Sequence, residues 1–202
     1  MTEDLAQIRQ EYVQRTELYA RYGYDIEKER AALIRLAQPL KGRILEVGCG
    51  RGYLTLCLAQ QGVRIISIDA DVQSIDNARR LVAANGLEAW VDLRVQDVRQ
   101  LSFATESFDI IFCANVVHHF EQAQKAVQEM LRVIKANGKL IISDLNQAGM
   151  ELVAQIHRAQ GGHHRFGKTV LRDVACICEQ QACVVKNAAT ALQDILLIQK
   201  KP

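Results

Sequence analysis

The stretch that decides the fold reads Ile44-Leu45-Glu46-Val47-Gly48-Cys49-Gly50-Arg51-Gly52. A mostly apolar run leads into three glycines at alternate positions, and a helical pattern begins at about Tyr53. Glycine allows a tight turn and a close approach of a ligand to the main chain. The start of a helix presents N–H groups and a partial positive charge, which favour a carboxylate or a phosphate. The stretch therefore predicts a strand, a ligand-binding turn and a helix.

Short β-rich runs alternate with helical runs along the rest of the chain, a pattern typical of parallel strands joined by right-handed crossovers. Left-handed glycines are expected after two of the helices, at Gly86 and Gly138. The fold class is α/β, a Rossmann-like doubly wound sheet of about seven strands whose last strand is antiparallel, with an N-terminal helical flap. We predict strands at 43–47, 63–68, 91–95, 108–113, 138–143, 183–188 and 194–199 and helices near 2–19, 25–37, 52–61, 72–84, 120–135, 147–159 and 168–180.

The composition is that of one globular domain, with 202 residues, 49% hydrophobic and 24% charged residues, and a formal net charge of +2. We predict a flap over 1–40, a cofactor-binding half over 41–145 and a substrate-side half over 146–202. The small net charge argues against nucleic acid as a partner, and no apolar run is long enough to predict a membrane span. With its acidic N-terminus, the chain is expected to be cytoplasmic, as a monomer or a homodimer.

Polar side chains follow successive strands at the same edge of the predicted sheet. Asp69 ends the second strand, where a carboxylate can accept two hydrogen bonds from a ribose diol. Asp97 follows the third strand and can accept from an exocyclic adenine amine, with Val98 against the ring. Asn115 ends the fourth strand and is followed by the pair His118-His119. Convergence of these groups on one crevice is more specific than the glycine loop alone.

A dinucleotide site is disfavoured by two features of the loop. The third glycine of that fingerprint would stand where Tyr53 does, and Glu46 places a carboxylate beside the expected position of a pyrophosphate. The same carboxylate would suit a ligand ammonium group. A nicotinamide-dependent oxidoreductase therefore remains a less favoured alternative.

The motifs, in this order, resemble those of class I S-adenosylmethionine-dependent methyltransferases, over about residues 40–145. The Asp-x-x-x-Leu-x-Phe spelling from Asp97 and the Ser-Phe-Asp spelling at Ser107 are similar to the small-molecule, "type 11" branch. The resemblance implies S-adenosyl-L-methionine as cofactor, S-adenosyl-L-homocysteine as product, and a small-molecule methyl acceptor. The contacts that it implies are the backbone of Gly48, Cys49 and Gly50 and the side chain of Glu46 at the methionine part, Asp69 at the ribose, Ala70, Val98 and Asp97 at the adenine, and Asn115 beneath the sulfonium.

Methyl transfer needs alignment above all, and needs a general base only when the nucleophile carries a proton. His118 and His119 are the candidates, and His119 is favoured because it lies farther from the strand end. On the flap, Tyr19, Tyr22 and Tyr24 either pack the first helix on the sheet, or Tyr22 or Tyr24 closes over the sulfonium, since an aromatic face attracts a cation. A protein that binds the cofactor without catalysis, in a regulatory role, is the alternative from another functional class.

The segment 161–168 and the residue Cys49 each allow two interpretations. The glycine-rich segment 161–168 is a solvated loop or a site for an anionic substrate, with His163, His164, Arg165 and Lys168 as the binding residues. Cys49 is a backbone contact or, at a helix start, a thiol of lowered pKa.

A metal site is not expected among the cysteines and histidines of the C-terminal part. The Cys-x-Cys step lacks the spacing of a zinc knuckle, and its thiols suit a buried helix face. The residues concerned are Cys176, Cys178, Cys183, His157, His163 and His164.

Overall fold

The computed structural model describes residues 5–162 and 166–200, and within these residues seven strands form one sheet in the order β3-β2-β1-β4-β5-β7-β6. Strands β1 to β5 run parallel, and β7 lies antiparallel between β5 and β6. The α/β doubly wound class with an antiparallel last strand is therefore confirmed. The strands are β1 Ile44–Val47, β2 Ile65–Asp69, β3 Val91–Val95, β4 Phe108–Ala114, β5 Ile134–Leu145, β6 Cys183–Ala189 and β7 Gln193–Lys200.

Helices cover both faces of the sheet, because alternate residues of the central strands enter different apolar clusters. Leu45 and Ile111 pack in the cluster that contains α5 and α7, whereas Ile44 and Phe112 pack against α2 and α3. Two short 3₁₀ turns complete the described elements, at Glu88–Trp90 and Val117–His119. The helices are α1 Leu5–Arg21, α2 Ile26–Ala37, α3 Tyr53–Ala59, α4 Val72–Ala84, α5 Ala123–Val133, α6 Gln147–Ala159 and α7 Leu171–Gln180.

One predicted helix end is wrong. Helix α5 ends at Val133, and Gly138 lies inside β5 without a left-handed backbone, whereas Gly86 has the expected positive φ of 67°. A Cβ atom at Gly138 would lie 2.7 Å from the side chain of Ile134 and 3.0 Å from the carbonyl oxygen of Asp109. Close packing between β5 and β4, and not a helix C-terminus, requires this glycine.

The two N-terminal helices pack beside the carboxyl edge of the sheet. The carboxylate of Asp25 accepts from the backbone N–H of Lys28 and caps α2. Tyr19 and Tyr24, from the end of α1 and the following turn, pack with Leu145 and with α6. This arrangement brings α1, α2 and α6 to the edge where the strand-end residues lie. No helix within the described ranges is long and apolar enough to cross a membrane.

Candidate functional site

Two adjoining cavities lie at the carboxyl edge of the sheet. The first, of about 550 Å³, is lined by the ends of β1, β2 and β3 and the start of α5. The second, of about 400 Å³, lies between the glycine loop and helices α1, α2 and α6. Gly48, Gly50, Asn115 and His119 line both cavities. A ligand that contacts these four residues can therefore extend into both spaces.

The glycine loop is held by its own hydrogen bonds. Gly48, Gly50 and Gly52 have positive φ angles of 74°, 51° and 80°. The backbone N–H groups of Gly48 and Cys49 donate to the carbonyl of Ile68 at 2.8 and 3.0 Å, and the N–H of Gly50 donates to Oδ2 of Asp69 at 2.9 Å. These three donors are engaged, and α3 has only seven residues. The N–H groups of Gly48, Cys49 and Gly50 are therefore used within the protein, and the loop residues line the second cavity.

Both acids assigned to the adenosyl end line the first cavity, together with Ala70 and Val98. Asp69 uses one oxygen for Gly50 and the other for the N–H of Asp71, and a carboxylate oxygen can accept more than one hydrogen bond. Asp97 is held by the guanidinium of Arg99 at 2.6 to 3.0 Å. Hydrogen bonds from Arg99 lower the pKa of Asp97. The structure thus brings these acids together, but the pairing with Arg99 was not predicted.

Asn115 stands at the junction of the cavities. It has a positive φ of 58°, a conformation in which Asn is enriched among non-glycine residues. Its Oδ1 atom is buried and has no hydrogen-bond partner among the described residues. Its Nδ2 atom lies 3.4 Å from the hydroxyl oxygen of Tyr24, which also accepts from Gln193 at 3.2 Å. Tyr24 is therefore fixed in the cavity wall, while Tyr22 lines neither cavity.

A buried histidine and carboxylate pair faces the second cavity. Nδ1 of His118 lies 2.7 Å from Oδ1 of Asp144, and the backbone N–H of His118 donates to Oδ2 at 2.8 Å. The pKa of neighbouring His119 is lowered by burial and by the adjacent His118. Asp144 was missed in the sequence, although it lies near the end of β5, the strand beside β4. The signal that could have found it is that Asp144 follows an apolar strand at the active edge.

Glu46 is almost fully buried in the second cavity, with 2% of its surface exposed. Its Oε2 atom accepts hydrogen bonds from the hydroxyls of Thr55 at 2.6 Å and Ser67 at 2.7 Å. Burial raises the pKa of Glu46, against the opposing effect of these hydroxyls and of Arg30. The side chain is therefore a fixed acceptor on the methionine side of the predicted site.

Arginines of the N-terminal helices and the loop line the second cavity and were not predicted. They are Arg15 on α1, Arg30 on α2 and Arg51 in the loop. The Nε and Nη1 atoms of Arg30 are buried without a hydrogen-bond partner among the described residues. Buried nitrogens without a partner are costly, which makes Arg30 a candidate donor to an acceptor group of a ligand. Only the docking of the helices reveals this, since the sequence positions of the arginines carry no motif.

The other predicted residues have different outcomes. Lys168 is exposed and lines neither cavity, and the predicted residues His163, His164 and Arg165 fall outside the described residues. Burial raises the pKa of the Cys49 thiol, so the alternative of a thiol of lowered pKa is wrong. The described part of the chain holds no group of three or more His, Cys, Asp or Glu side chains arranged for a metal.

Comparisons with known proteins show similarity to methyltransferases. The family described as a methyltransferase domain matches residues 45–142. A ubiquinone biosynthesis O-methyltransferase of Xanthomonas oryzae pv. oryzae is 30% identical over 165 residues, which are 76% of this chain and 64% of that protein. The chain thus spans slightly less than two thirds of this relative.

Solved structures share the fold at low identity. A methyltransferase structure from Methanococcus maripaludis, described as S-adenosyl-L-methionine-dependent, has a TM-score of 0.73 and 17% identity and covers 100% of this chain and 98% of its own. The cyclase SpnF has a TM-score of 0.69 and 16% identity, with coverages of 86% and 81%. The strand order and the glycine loop agree with these similarities: residues 45–142 match a methyltransferase domain, and the chain shares the fold of a solved structure described as an S-adenosyl-L-methionine-dependent methyltransferase.

Proposed function

We propose that this protein transfers the methyl group of S-adenosylmethionine to a small molecule, with the cofactor lying across both cavities. The observation that carries the proposal is the division of charge along the cleft. The first cavity presents the carboxylates of Asp69 and Asp97, the latter paired with Arg99, and the second presents Arg30, whose Nε and Nη1 atoms are buried without a partner among the described residues. Ribose hydroxyls and an adenine amine are donors, whereas the methionine carboxylate is an acceptor, so the residues fit the cofactor from end to end.

Each contact follows from this placement. Asp69 would accept from the ribose hydroxyls and Asp97 from the adenine amine, with Ala70 and Val98 beside the ring. Glu46 would accept from the methionine ammonium, and Arg30 would donate to the methionine carboxylate. At the junction, the backbone of Gly48, Cys49 and Gly50 and the side chains of Asn115 and Tyr24 would surround the sulfur end of the cofactor.

The bound cofactor supplies an electrophilic methyl group on a positively charged sulfur. The chain holds the acceptor in line and keeps water out of the second cavity, where Tyr24 and Leu145 provide buried walls. Asp144 orients the His118 ring through Nδ1. We propose His118 as the general base rather than His119, which the sequence favours, because a buried carboxylate fixes the His118 ring.

Methyl transfer is not the only chemistry that this fold can host, since one structural neighbour is described as a cyclase. A protein that holds the cofactor without transferring its methyl group would use the same first cavity. His118 and Asp144 favour catalysis, because a buried carboxylate and imidazole pair beside the junction is not needed to hold an adenosyl group. A small-molecule partner, the monomeric or homodimeric state and the cytoplasmic location remain predictions.

Calorimetry and turnover together test the proposal. The purified protein should bind S-adenosylhomocysteine with micromolar affinity and should not bind NAD at comparable concentrations. Methyl transfer from labelled S-adenosylmethionine is then measured with a panel of small hydroxyl, amine and thiol acceptors. Binding without turnover of any acceptor would favour the non-catalytic alternative, and binding of NAD in preference would favour the oxidoreductase.

A further inference from the structure

Three side chains form a connected cluster where α1 and α6 border the second cavity. Nη2 of Arg15 donates to the hydroxyl oxygen of Tyr19 at 2.9 Å, and the guanidinium carbon lies 4.9 Å from the centre of the Tyr19 ring. The same hydroxyl lies 3.2 Å from Nε2 of His157. All three residues line the second cavity. We call Arg15, Tyr19 and His157 the α1–α6 cluster.

Four arginines outside the second cavity pair with neighbouring carboxylates. Within the described part of the chain, the three arginines that line the second cavity do not. Arg15, Arg30 and Arg51 have no ion pair with any carboxylate among the residues that the structure describes. Their positive charge is therefore left for a ligand to neutralise. The pairs are Arg79 with Asp76, Arg94 with Asp92, Arg132 with Glu129 and, in the first cavity, Arg99 with Asp97.

The cofactor alone does not balance this charge. Its sulfonium and ammonium groups outweigh its single carboxylate, so it brings a net positive charge into the cleft. Glu46 is the carboxylate that lines the second cavity within the described ranges, and it already accepts from two hydroxyls. Burial and the positive charges of Arg15 and Arg51 lower the pKa of His157. The carboxylate of Asp144 is taken by His118, so an anionic group on the other ligand would neutralise the charge of Arg15.

We propose that the α1–α6 cluster is the binding site for an anionic group on the methyl acceptor, a carboxylate or a phosphate monoester. Arg15 supplies charged donors, since its stacking on Tyr19 fixes the guanidinium plane. The Tyr19 hydroxyl and the His157 ring supply further polar contacts. The inference rests on the proposed function and names its substrate class. It moves the anion site expected in the segment 161–168 to residues of α1 and α6.

The test uses two small anions as probes, benzoate and inorganic phosphate, on protein saturated with S-adenosylhomocysteine. Nitrogen resonances of the His157 ring are followed by NMR during each titration. We expect a saturable shift with at least one probe, and the probe that binds more tightly identifies a carboxylate or a phosphate. In Arg15→Gln the binding of that probe should weaken about 10- to 100-fold, because a charge-assisted contact is lost. Tyr19→Phe should weaken it by less.

Control measurements separate this proposal from the proposed function. Arg158→Gln removes an equal charge from the exposed neighbour of His157 on α6 and should leave probe binding unchanged. The affinity for S-adenosylhomocysteine should be unchanged in Arg15→Gln. A fall in that affinity would assign Arg15 to the cofactor carboxylate and overturn the proposal, as would the absence of a saturable shift with either anion. Failure of the unmodified protein to bind S-adenosylhomocysteine would instead count against the proposed function.

Discussion

The two cavities that share the glycine loop differ in charge and in origin. The first presents acids that end or follow strands β2 and β3, within about 30 residues of one another. The second presents arginines and histidines from α1, α2, α6 and the β4 end, which are far apart in the chain. An adenosyl group consists mainly of donors and an apolar ring, so acids at adjacent strand ends suffice for it. The methionine and acceptor end carries charges of both signs and needs residues from several elements.

This contrast indicates which cavity is common to the fold and which is particular to this chain. Strand-end acids are placed by the sheet itself, so any chain with this topology can supply them. The positions of the cations in the second cavity depend on how the N-terminal helices dock, because Arg15 lies on α1 and Arg30 on α2. Specificity for the acceptor is therefore expected to reside in the second cavity. Four substitutions test this division.

The largest effect is expected in the second cavity, from His118→Asn. If His118 removes the proton of the nucleophile, kcat should fall by about 10² to 10⁴, while the affinity for S-adenosylhomocysteine stays constant. Asp144→Asn should also lower kcat, because the His118 ring loses the carboxylate that orients it. The matched variant is His119→Asn, for which we expect a change of about threefold or less. A larger loss in His119→Asn than in His118→Asn would reverse the assignment.

In the first cavity, Asp69→Asn should weaken binding of S-adenosylhomocysteine by about 100-fold or more. The substitution removes the charged acceptor of the ribose hydroxyls and replaces one acceptor oxygen by a donor. Calorimetry measures the loss. Asp92→Asn is the control, because Asp92 lies on β3 but is exposed and paired with Arg94. Equal affinities for the two variants would show that the first cavity does not hold the ribose.

Arg30→Met tests the charge of the second cavity. The affinity for S-adenosylhomocysteine should fall about 10- to 100-fold, because the methionine carboxylate loses its donor. Thermal stability without ligand should stay constant or rise, since buried unpartnered guanidinium nitrogens are removed. Arg35→Met changes an exposed arginine on the same helix and should affect neither quantity. Unchanged affinity in Arg30→Met would leave the carboxylate without its proposed partner.

The smallest effect concerns Glu46, whose pKa is raised by burial. Because the folded protein holds this proton more tightly than the unfolded chain does, the associated stability is present below the ordinary pKa of Glu and is lost as the pH rises through the folded pKa. Glu46→Gln lacks this loss. Its melting temperature should therefore decline less than that of the unmodified protein between pH 5 and 8. Each kcal/mol of difference in the free energy of unfolding corresponds to a shift of about 2 to 4 °C in the melting temperature.

Glu46→Gln should also weaken cofactor binding, because the ammonium loses its charged acceptor. Scanning calorimetry at several pH values measures the stability, and titration with S-adenosylhomocysteine measures the affinity. Thr55→Val removes one hydroxyl from the same carboxylate and should lower stability at pH 7. Parallel pH curves for Glu46→Gln and the unmodified protein would contradict the raised pKa.

Much of the first cavity could be predicted because its residues sit at positions defined by local pattern. A residue that ends a parallel strand must lie at the carboxyl edge, so Asp69, Asp97 and Asn115 could be placed from the strand boundaries alone. The pairing of Asp97 with Arg99 could not, since it depends on side-chain conformation in a turn. Gly138 was misjudged for a similar reason: a glycine that fills a helix end and one that permits close strand packing look alike in sequence.

By itself the sequence determined the succession of strands and helices along the chain, the glycine turn and the row of acids, since each depends on periodicity or on a few consecutive residues. Tertiary structure alone decided the order of the strands in the sheet, that Asp144 fixes His118, that Arg30 lies close to Glu46, and that Arg15 meets His157 through Tyr19. These contacts join residues 26 to 138 positions apart along the chain or depend on the docking of whole helices. The local sequence pattern does not reveal contacts between residues so far apart in the chain, because these side chains meet only when the helices and strands pack together.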